Sequence, residues 1–379
     1  MRTTKPELCV GEFVKPLGIF CRLDGKGVAK QMANRMRWGL VGTGTIAHDF
    51  ARDMERTSGA ELVAVCSRDR IRATEFARHH GVVGVFTELD AMLATGAIDA
   101  LYLATPSAVH REQAIAALIA GKPVLVEKPL SVNAQQAREM VRMAQKHSVF
   151  LMEALWTRYL PAISAIRALL DAGTIGTITG FEANLAFRQK YDRSNRFFSP
   201  ELGGGSLLDL GVYPLSLALY LLGQPLASRG NWRAAPSGVD RLARVTLFYR
   251  GYQALLSCGF DRNGANLCII RGSSGMIVID GPFLQAKGFF VIRNTMIARL
   301  FAAASNPLAA RLLRKLLLKI PVRGVERHSH DFPGNGLQFE IEAASTAIRD
   351  GRTEEPLMAH EHSIAVQDII QSVLANRPV

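Results

Sequence analysis

The sequence predicts an α/β fold: an N-terminal Rossmann-type dinucleotide-binding domain followed by an α+β domain with a large, mainly antiparallel open sheet. Three observations carry this. Residues 37–47 read RWGLVGTGTIA, a short apolar strand running into a GxGxxA turn. From there to about residue 130, short apolar strands alternate with helical periods, the pattern of a parallel sheet with crossovers. Beyond Gly223 the apolar period shortens to two, with turn residues between the runs.

In the turn, Gly42 permits a tight bend, Gly44 lets the backbone approach a pyrophosphate, and Ala47 is small enough for helix and strand to pack. A helix starting near Ile46 aims its free N–H groups and positive dipole end at the phosphates. Gly42, Thr43, Gly44, Thr45 and Ile46 are therefore the candidate phosphate cradle. The second strand, 61–66, ends in Ser67 and Arg68, where such a fold meets the adenosine ribose. An acidic residue there would accept the 2′-OH of NAD. A hydroxyl followed by a guanidinium suits a 2′-phosphate instead, so NADP is favoured over NAD. Arg68 and Arg70 also read simply as solvated loop charges.

Helices are expected over 46–56, over 70–80 with Gly81 as the stop, and over 89–94, with the next strand at 100–104. Its end, Ala104, Thr105 and Pro106, and His110 opening the helix to about residue 120, face the crevice outside the strand ends. His110 reads equally well as a plain helix-start residue. Strand 124–126 delivers Glu127, Lys128 and Pro129 to the same edge. A lysine ending an all-apolar strand is costly unless wet or paired, which makes Lys128 the leading candidate for chemistry; its cation can polarise a carbonyl oxygen. Pro129 fixes the local turn, with a cis bond as one option.

At 379 residues the chain exceeds one ordinary domain, and an apolar content of 48% supplies two cores. The formal charge of +12 invites nucleic acid or membrane as partners, but an anionic cofactor accounts for part of it and the basic stretches lack aromatic stacking partners. Five scattered cysteines, Cys9, Cys21, Cys66, Cys258 and Cys268, support neither a disulfide framework nor a zinc site, and no metal is expected. Residues 1–35 have no period and no clean signal peptide; they read as a mobile arm before a first strand that Met36 could itself initiate. A cytoplasmic protein follows, with domains at 36–155 and 156–379.

Gly42 to Ala47, the Glu127-Lys128-Pro129 triplet and GGGSLLDLGVYP at 203–214 together resemble the Gfo/Idh/MocA family of oxidoreductases, and EALWTRYLP at 153–161 resembles the branch holding glucose–fructose oxidoreductase, dimeric dihydrodiol dehydrogenase and NADP-dependent xylose dehydrogenase. The resemblance covers about 36–280 closely and 330–379 loosely. It implies that Lys128 is the family's lysine, and that Asp209, Gly211 and Tyr213 are its DxGxH/Y element, with tyrosine in the last place. It implies further that Trp156 and Arg158 line the nicotinamide side. Lys128, Tyr213 and Asp209 then form the catalytic set. One helix face would carry both Asp209 and Tyr213, and a neighbouring lysine would favour the phenolate of Tyr213. The implied activity is NAD(P)-dependent hydride transfer at a secondary alcohol or aldehyde carbon of a sugar, polyol or cyclic diol, in a homo-oligomer built through the second sheet. A non-catalytic NADP-binding regulator and a permanently bound NADP cycling between two sugars are the alternatives.

Strands are expected at 244–249, 254–260, 266–272 and 276–280, and helices at 337–349 and 360–375 that close the chain against the first domain. The segment 308–319 sets Leu308, Leu312, Leu316 and Leu317 beside Arg311, Arg314, Lys315 and Lys319. It reads as an amphipathic helix covering a sheet or a partner subunit rather than a membrane surface. His328, His330 and Asp331 lack the spacing of a metal site.

Overall fold

The computed structural model describes residues 35–279, 281–293 and 323–379. The expected mobile arm and the basic segment 308–319 lie outside the described residues. Residues 36–379 form one compact unit built on two sheets.

The first sheet is all parallel, in the order β3-β2-β1-β4-β5-β6. Its strands are β1 (Met36–Val41), β2 (Ala60–Cys66), β3 (Gly84–Phe86), β4 (Ala100–Leu103), β5 (Val124–Glu127) and β6 (Leu151–Ala154). The helices between them are α1 (Thr45–Met54), α2 (Arg70–His80), α3 (Leu89–Ala94), α4 (His110–Ile119) and α5 (Ala134–His147). This is the doubly wound order, in which the chain reverses direction across the sheet between β1 and β4 and leaves a crevice at their carboxyl ends. Local chemistry sets the element ends: Asp69 caps α2 by accepting the N–H groups of Ile71 and Arg72, Gly81 closes it in the left-handed conformation, and Asn133 caps α5 through Gln136 N–H.

After α6 (Pro161–Asp171), which starts with proline in its first turn, the second sheet begins with β7 (Ile178–Ala186). α7 (Val212–Leu222) precedes β8 (Ala227–Ala234), β9 (Asp240–Tyr249), β10 (Tyr252–Gly259), β11 (Cys268–Gly272), β12 (Gly275–Ile279), β13 (Gly288–Ile292) and β14 (Val325–Ser329). The order is β14-β13-β12-β11-β7-β10-β9-β8, antiparallel throughout except where β7 pairs with β10. Alternate residues such as Phe181, Leu185, Leu247 and Leu256 point inward onto α7. On the opposite face Ile269, Met276, Val278, Phe290 and Ile292 make a separate small cluster.

The last helices, α8 (Leu337–Arg349) and α9 (His360–Leu374), return to the first domain, packing on α1 and α5 respectively. Buried Asp53 of α1 caps α8, accepting the backbone N–H groups of Asn335, Gly336 and Leu337 at 2.9, 3.0 and 3.1 Å. Trp38 of β1, fully buried, donates its indole N–H to Ser345 of α8. The run Pro200–Leu222 is long and apolar enough to cross a membrane, yet 83% of its most apolar window is buried in the fold, as befits a core helix. His328 and His330 both stack on Phe289.

Candidate active site

Strand register lines the carboxyl ends up along one edge: Val41 lies opposite Cys66 and Leu103, Leu103 opposite Val126, and Glu127 opposite Ala154. Everything that follows those residues therefore borders the crevice. Gly42 has φ +104°, and a Cβ there would stand 2.7 Å from the Ala104 carbonyl oxygen, so only glycine lets β1 and β4 close up at the switch point. Around Gly44 a Cβ would meet nothing within 4 Å, and Gly44 and Thr45 are exposed at the start of α1. Open space in front of unpaired helix N–H groups is what a pyrophosphate fills. Ala47 is fully buried where helix and strand meet.

Beyond β2, Ser67 is half-buried and Arg68 exposed. Asp69 is occupied in capping α2 and in a 3.5 Å ion pair with Arg72, which leaves the Arg68 guanidinium without a partner among the described residues. Of the β4 loop, Thr105 donates to Gln113 at 2.6 Å. His110 opens α4, the second of its two readings. It is buried, with Nδ1 3.1 Å from the Pro129 carbonyl and Nε2 2.8 Å from the Thr105 carbonyl. Its ring ties the two loops together and is not free to touch a cofactor; burial lowers its pKa, against the pull of the two carbonyls.

Glu127 also turns inward. It accepts a short hydrogen bond from the buried Tyr102 hydroxyl and the Lys128 N–H at 3.1 Å, and burial pushes its carboxyl up to about 7. Only its backbone borders the crevice. The Lys128–Pro129 bond is cis. Lys128, its side chain 14% exposed, spans to the second domain: Nζ donates to the Asp209 carbonyl at 2.7 Å and to its carboxylate at 3.1 Å. An ammonium has three N–H groups, so one remains for a ligand. Arg196 reaches the same Asp209 oxygen at 3.1 Å. Burial pushes the Asp209 carboxyl up, but the two cations outweigh it and hold its pKa below the ordinary value.

Asp209 lies in a π-helical turn, Leu207–Gly211, that runs into α7, and Tyr213 opens the following turn with the Lys128 Nζ 5.0 Å from its ring centroid. Folding thus brings together the three residues assigned to catalysis, although Asp209 and Tyr213 lie 81 and 85 residues beyond Lys128 in sequence. The expected phenolate is not supported. Burial, with Glu127 and Asp209 adding negative charge, holds the Tyr213 pKa well above its ordinary value. Tyr213 is a neutral phenol whose hydroxyl has no hydrogen-bond partner among the described residues.

Trp156 and Arg158 share a 3₁₀ turn, Trp156–Tyr159, but separate in role. The Trp156 indole N–H is buried without a partner. Arg158 is fully buried and spent, donating to the Ser216 hydroxyl, the Ser216 carbonyl and the Leu357 carbonyl. It locks α7 to the segment before α9 and is not a cofactor contact. Two residues went unnoticed in the sequence. Arg196 sits in a loop with no period, and Asp240 begins β9, where a lone acid carries no signal. Asp240 accepts the Ser206 hydroxyl and the Leu207 N–H, both at 2.7 Å, and so anchors the turn that carries Asp209.

Residues 36–155 match the oxidoreductase family with an NAD-binding Rossmann fold, and 163–278 match the GFO/IDH/MocA C-terminal domain. A scyllo-inositol 2-dehydrogenase (NADP(+)) of Bacillus subtilis is 37% identical over 251 residues, 65% of this chain and 76% of its own length. The chain belongs to the Gfo/Idh/MocA family of oxidoreductases. Among further relatives, the trans-1,2-dihydrobenzene-1,2-diol dehydrogenase of Homo sapiens is 28% identical over 343 residues, 89% of this chain and 96% of that protein. A 3-ketoreductase from Actinomadura kijaniata, solved in complex with NADP and TDP-benzene, superposes with TM-score 0.77 at 24% identity over 91% of this chain and 98% of its own. At that identity the likeness is one of fold. In this Gfo/Idh/MocA chain the space at Gly44, the unpaired Arg68 and the orphaned Trp156 N–H all fit a bound dinucleotide.

Proposed function

We propose that this chain is an NADP-dependent oxidoreductase that acts on a CH–OH carbon of a sugar, polyol or cyclic diol. The observation that carries the reading is the Lys128 ammonium, fixed by Asp209 at the carboxyl end of β5 against the face of Tyr213, with one N–H unspent. When bound, NADP supplies the hydride acceptor or donor. Gly42, Thr43, Gly44, Thr45 and Ile46 hold its pyrophosphate, Ser67 and Arg68 its 2′-phosphate, and Ala104, Thr105, Pro106, Pro129 and Trp156 border the remainder. Lys128 holds the substrate oxygen and stabilises negative charge as it develops there. Tyr213, a neutral phenol, gives its proton to that oxygen in reduction; in oxidation it must first release that proton, and the phenolate then takes the one from the substrate hydroxyl. Asp209 keeps Lys128 in place and, with Arg196, presents polar groups to neighbouring hydroxyls.

The relatives named above as inositol and dihydrodiol dehydrogenases make cyclic polyols and cyclic diols the first substrates to try. The test is a screen of inositols, pentoses, hexoses and trans-dihydrodiols for NADPH formation or consumption, repeated with Tyr213→Phe. Turnover in the wild type that Tyr213→Phe abolishes supports the assignment; equal turnover in both overturns it. A homo-oligomer through the outer face of the second sheet is part of the proposal. That face carries Phe248, Gln253 and Leu255, the last 49% exposed, beside a recess of 540 Å³. A cytoplasmic location accords with Cys66, Cys258 and Cys268, which are all free and buried.

A further inference from the structure

Away from the crevice chemistry, three imidazoles meet between two helices of the nucleotide domain. His48 belongs to α1, and His79 and His80 end α2. One ligand nitrogen from each lies within 4.8 Å of the others. His48 Nδ1 and His80 Nε2 are 2.7 Å apart, sharing a single proton, while Phe76 packs against both rings. A recess of 410 Å³ opens beside them, lined by Thr43, His48, Arg72, Glu75, Phe76, Arg78 and His79.

We infer that His48, His79 and His80 form a binding site for a borderline divalent transition-metal ion of the zinc class, with the recess supplying its open coordination position. Imidazole nitrogens are the donors such ions prefer, and three of them plus one open position is a familiar tetrahedral set. Metal–nitrogen bonds of about 2.0–2.1 Å at tetrahedral angles put donor atoms about 3.3 Å apart, so His48 and His80 need to part by about half an ångström and the exposed His79 ring, within 4.8 Å of them, needs to swing in. Binding consumes no proton. His48 shifts to its other tautomer, which frees Nδ1, and both rings stay neutral.

Electrostatics permits a cation there. The carboxyl end of α2, with its negative dipole end, is where His79 and His80 sit. Two of the surrounding arginines are paired with carboxylates, Arg52 with Asp49 and Arg72 with Asp69, and Glu75 lines the recess beside Arg78. Because His48 and Thr43 line the same recess, an ion there would pin α1 to α2 next to the phosphate cradle.

The experiment is titration of the untagged, metal-stripped full chain with Zn²⁺ alone by calorimetry, and with Co²⁺ followed by its visible absorption. The expected result is one ion per chain, a tetrahedral Co²⁺ spectrum and a higher melting temperature with Zn²⁺. His79→Ala removes an exposed side chain and should fold normally. It should weaken binding by more than the 10–100-fold, roughly, that a lost outer partner costs, and should abolish the Co²⁺ bands. His48→Gln with His80→Gln should do the same while keeping the ring contacts in part. Absence of stoichiometric binding in the wild type, or binding and spectrum unchanged in His79→Ala, overturns the site. Neither readout depends on turnover, so failure here leaves the oxidoreductase assignment untouched.

Discussion

Tyr213 and Lys128 act on one substrate oxygen, the first by proton and the second by charge, so their losses should not add. Tyr213→Phe is expected to lower kcat by about 10²- to 10⁴-fold, the usual worth of positioned acid–base help, with NADP affinity kept. Lys128→Met should be as damaging, and the double variant little worse than the poorer single one; steady-state kinetics of the four proteins tests this, and additive losses would show two independent contributors. Asp209 gives a pH prediction whose sign comes from its cations. Its folded-state pKa lies below the ordinary 3.8, so its stabilising effect is present above that value and lost as pH falls through the lower folded one. Asp209→Asn removes this dependence. Acid unfolding monitored below about pH 4 should therefore be shallower in the variant, while its activity falls because Lys128 keeps only the backbone carbonyl and a neutral amide as partners in place of the carboxylate.

At the level of elements, the π-turn Leu207–Gly211 places Asp209 and Tyr213, and π-turns of this kind recur at functional sites. Its anchor is Asp240, whose two hydrogen bonds converge on one carboxylate oxygen, Oδ2. A Cβ on Gly205, at φ +123°, would come within 2.3 Å of the other oxygen, so glycine is required beside this contact. Burial raises the Asp240 pKa from 3.8 to about 7. Folding thus takes up a proton between those values, and Asp240's contribution to stability is greatest below 3.8 and is lost as pH rises to about 7. Asp240→Asn can keep both bonds through its single carbonyl oxygen and should flatten the stability profile over that window; a profile parallel to the wild type would mean that Asp240 is ionised in the fold. Asp53 does the same job for α8. Asp53→Ala strands buried N–H groups and should cost about 1–3 kcal/mol or more, measured by urea unfolding.

For the whole molecule, the two sheets are joined by Lys128–Asp209, by Arg158 and by the return of α8 and α9, so cofactor domain and substrate residues share one frame. Two expectations live at this scale. Arg68→Asp replaces the unpaired cation by a repelling anion and should reverse or abolish the preference for NADP over NAD, read by fluorescence titration of both cofactors; equal wild-type affinities would remove the role given to Ser67 and Arg68. Leu255→Arg should convert the oligomer to a monomer in sedimentation, and an unchanged mass would move the interface elsewhere.

Much of this was open to reading in the bare chain, because local chemistry determines it. The glycine turn, α2 from Arg70 to His80 with its Gly81 stop, α3, and α8 from Leu337 to Arg349 follow from caps, stops and apolar period, and Lys128 stands out as a charge ending an apolar strand. β7, at the centre of the second sheet, and the edge strand β8 went unread: β7 alternates over only Phe181 to Leu185 after a polar start at Thr179 and Gly180, its outward Glu182 paired across the sheet to Arg271 at 2.9 Å, and β8 is a solvated strand rich in polar residues. Tertiary structure alone decided that His110 bridges two loops, that Arg158 is consumed by Ser216 and Leu357, and that Tyr213 is held as a neutral phenol. The physical reason is common to all three. A side chain's partners, and hence its charge state, depend on groups brought close by folding from tens to hundreds of residues away, and no period or spacing along the chain encodes that proximity.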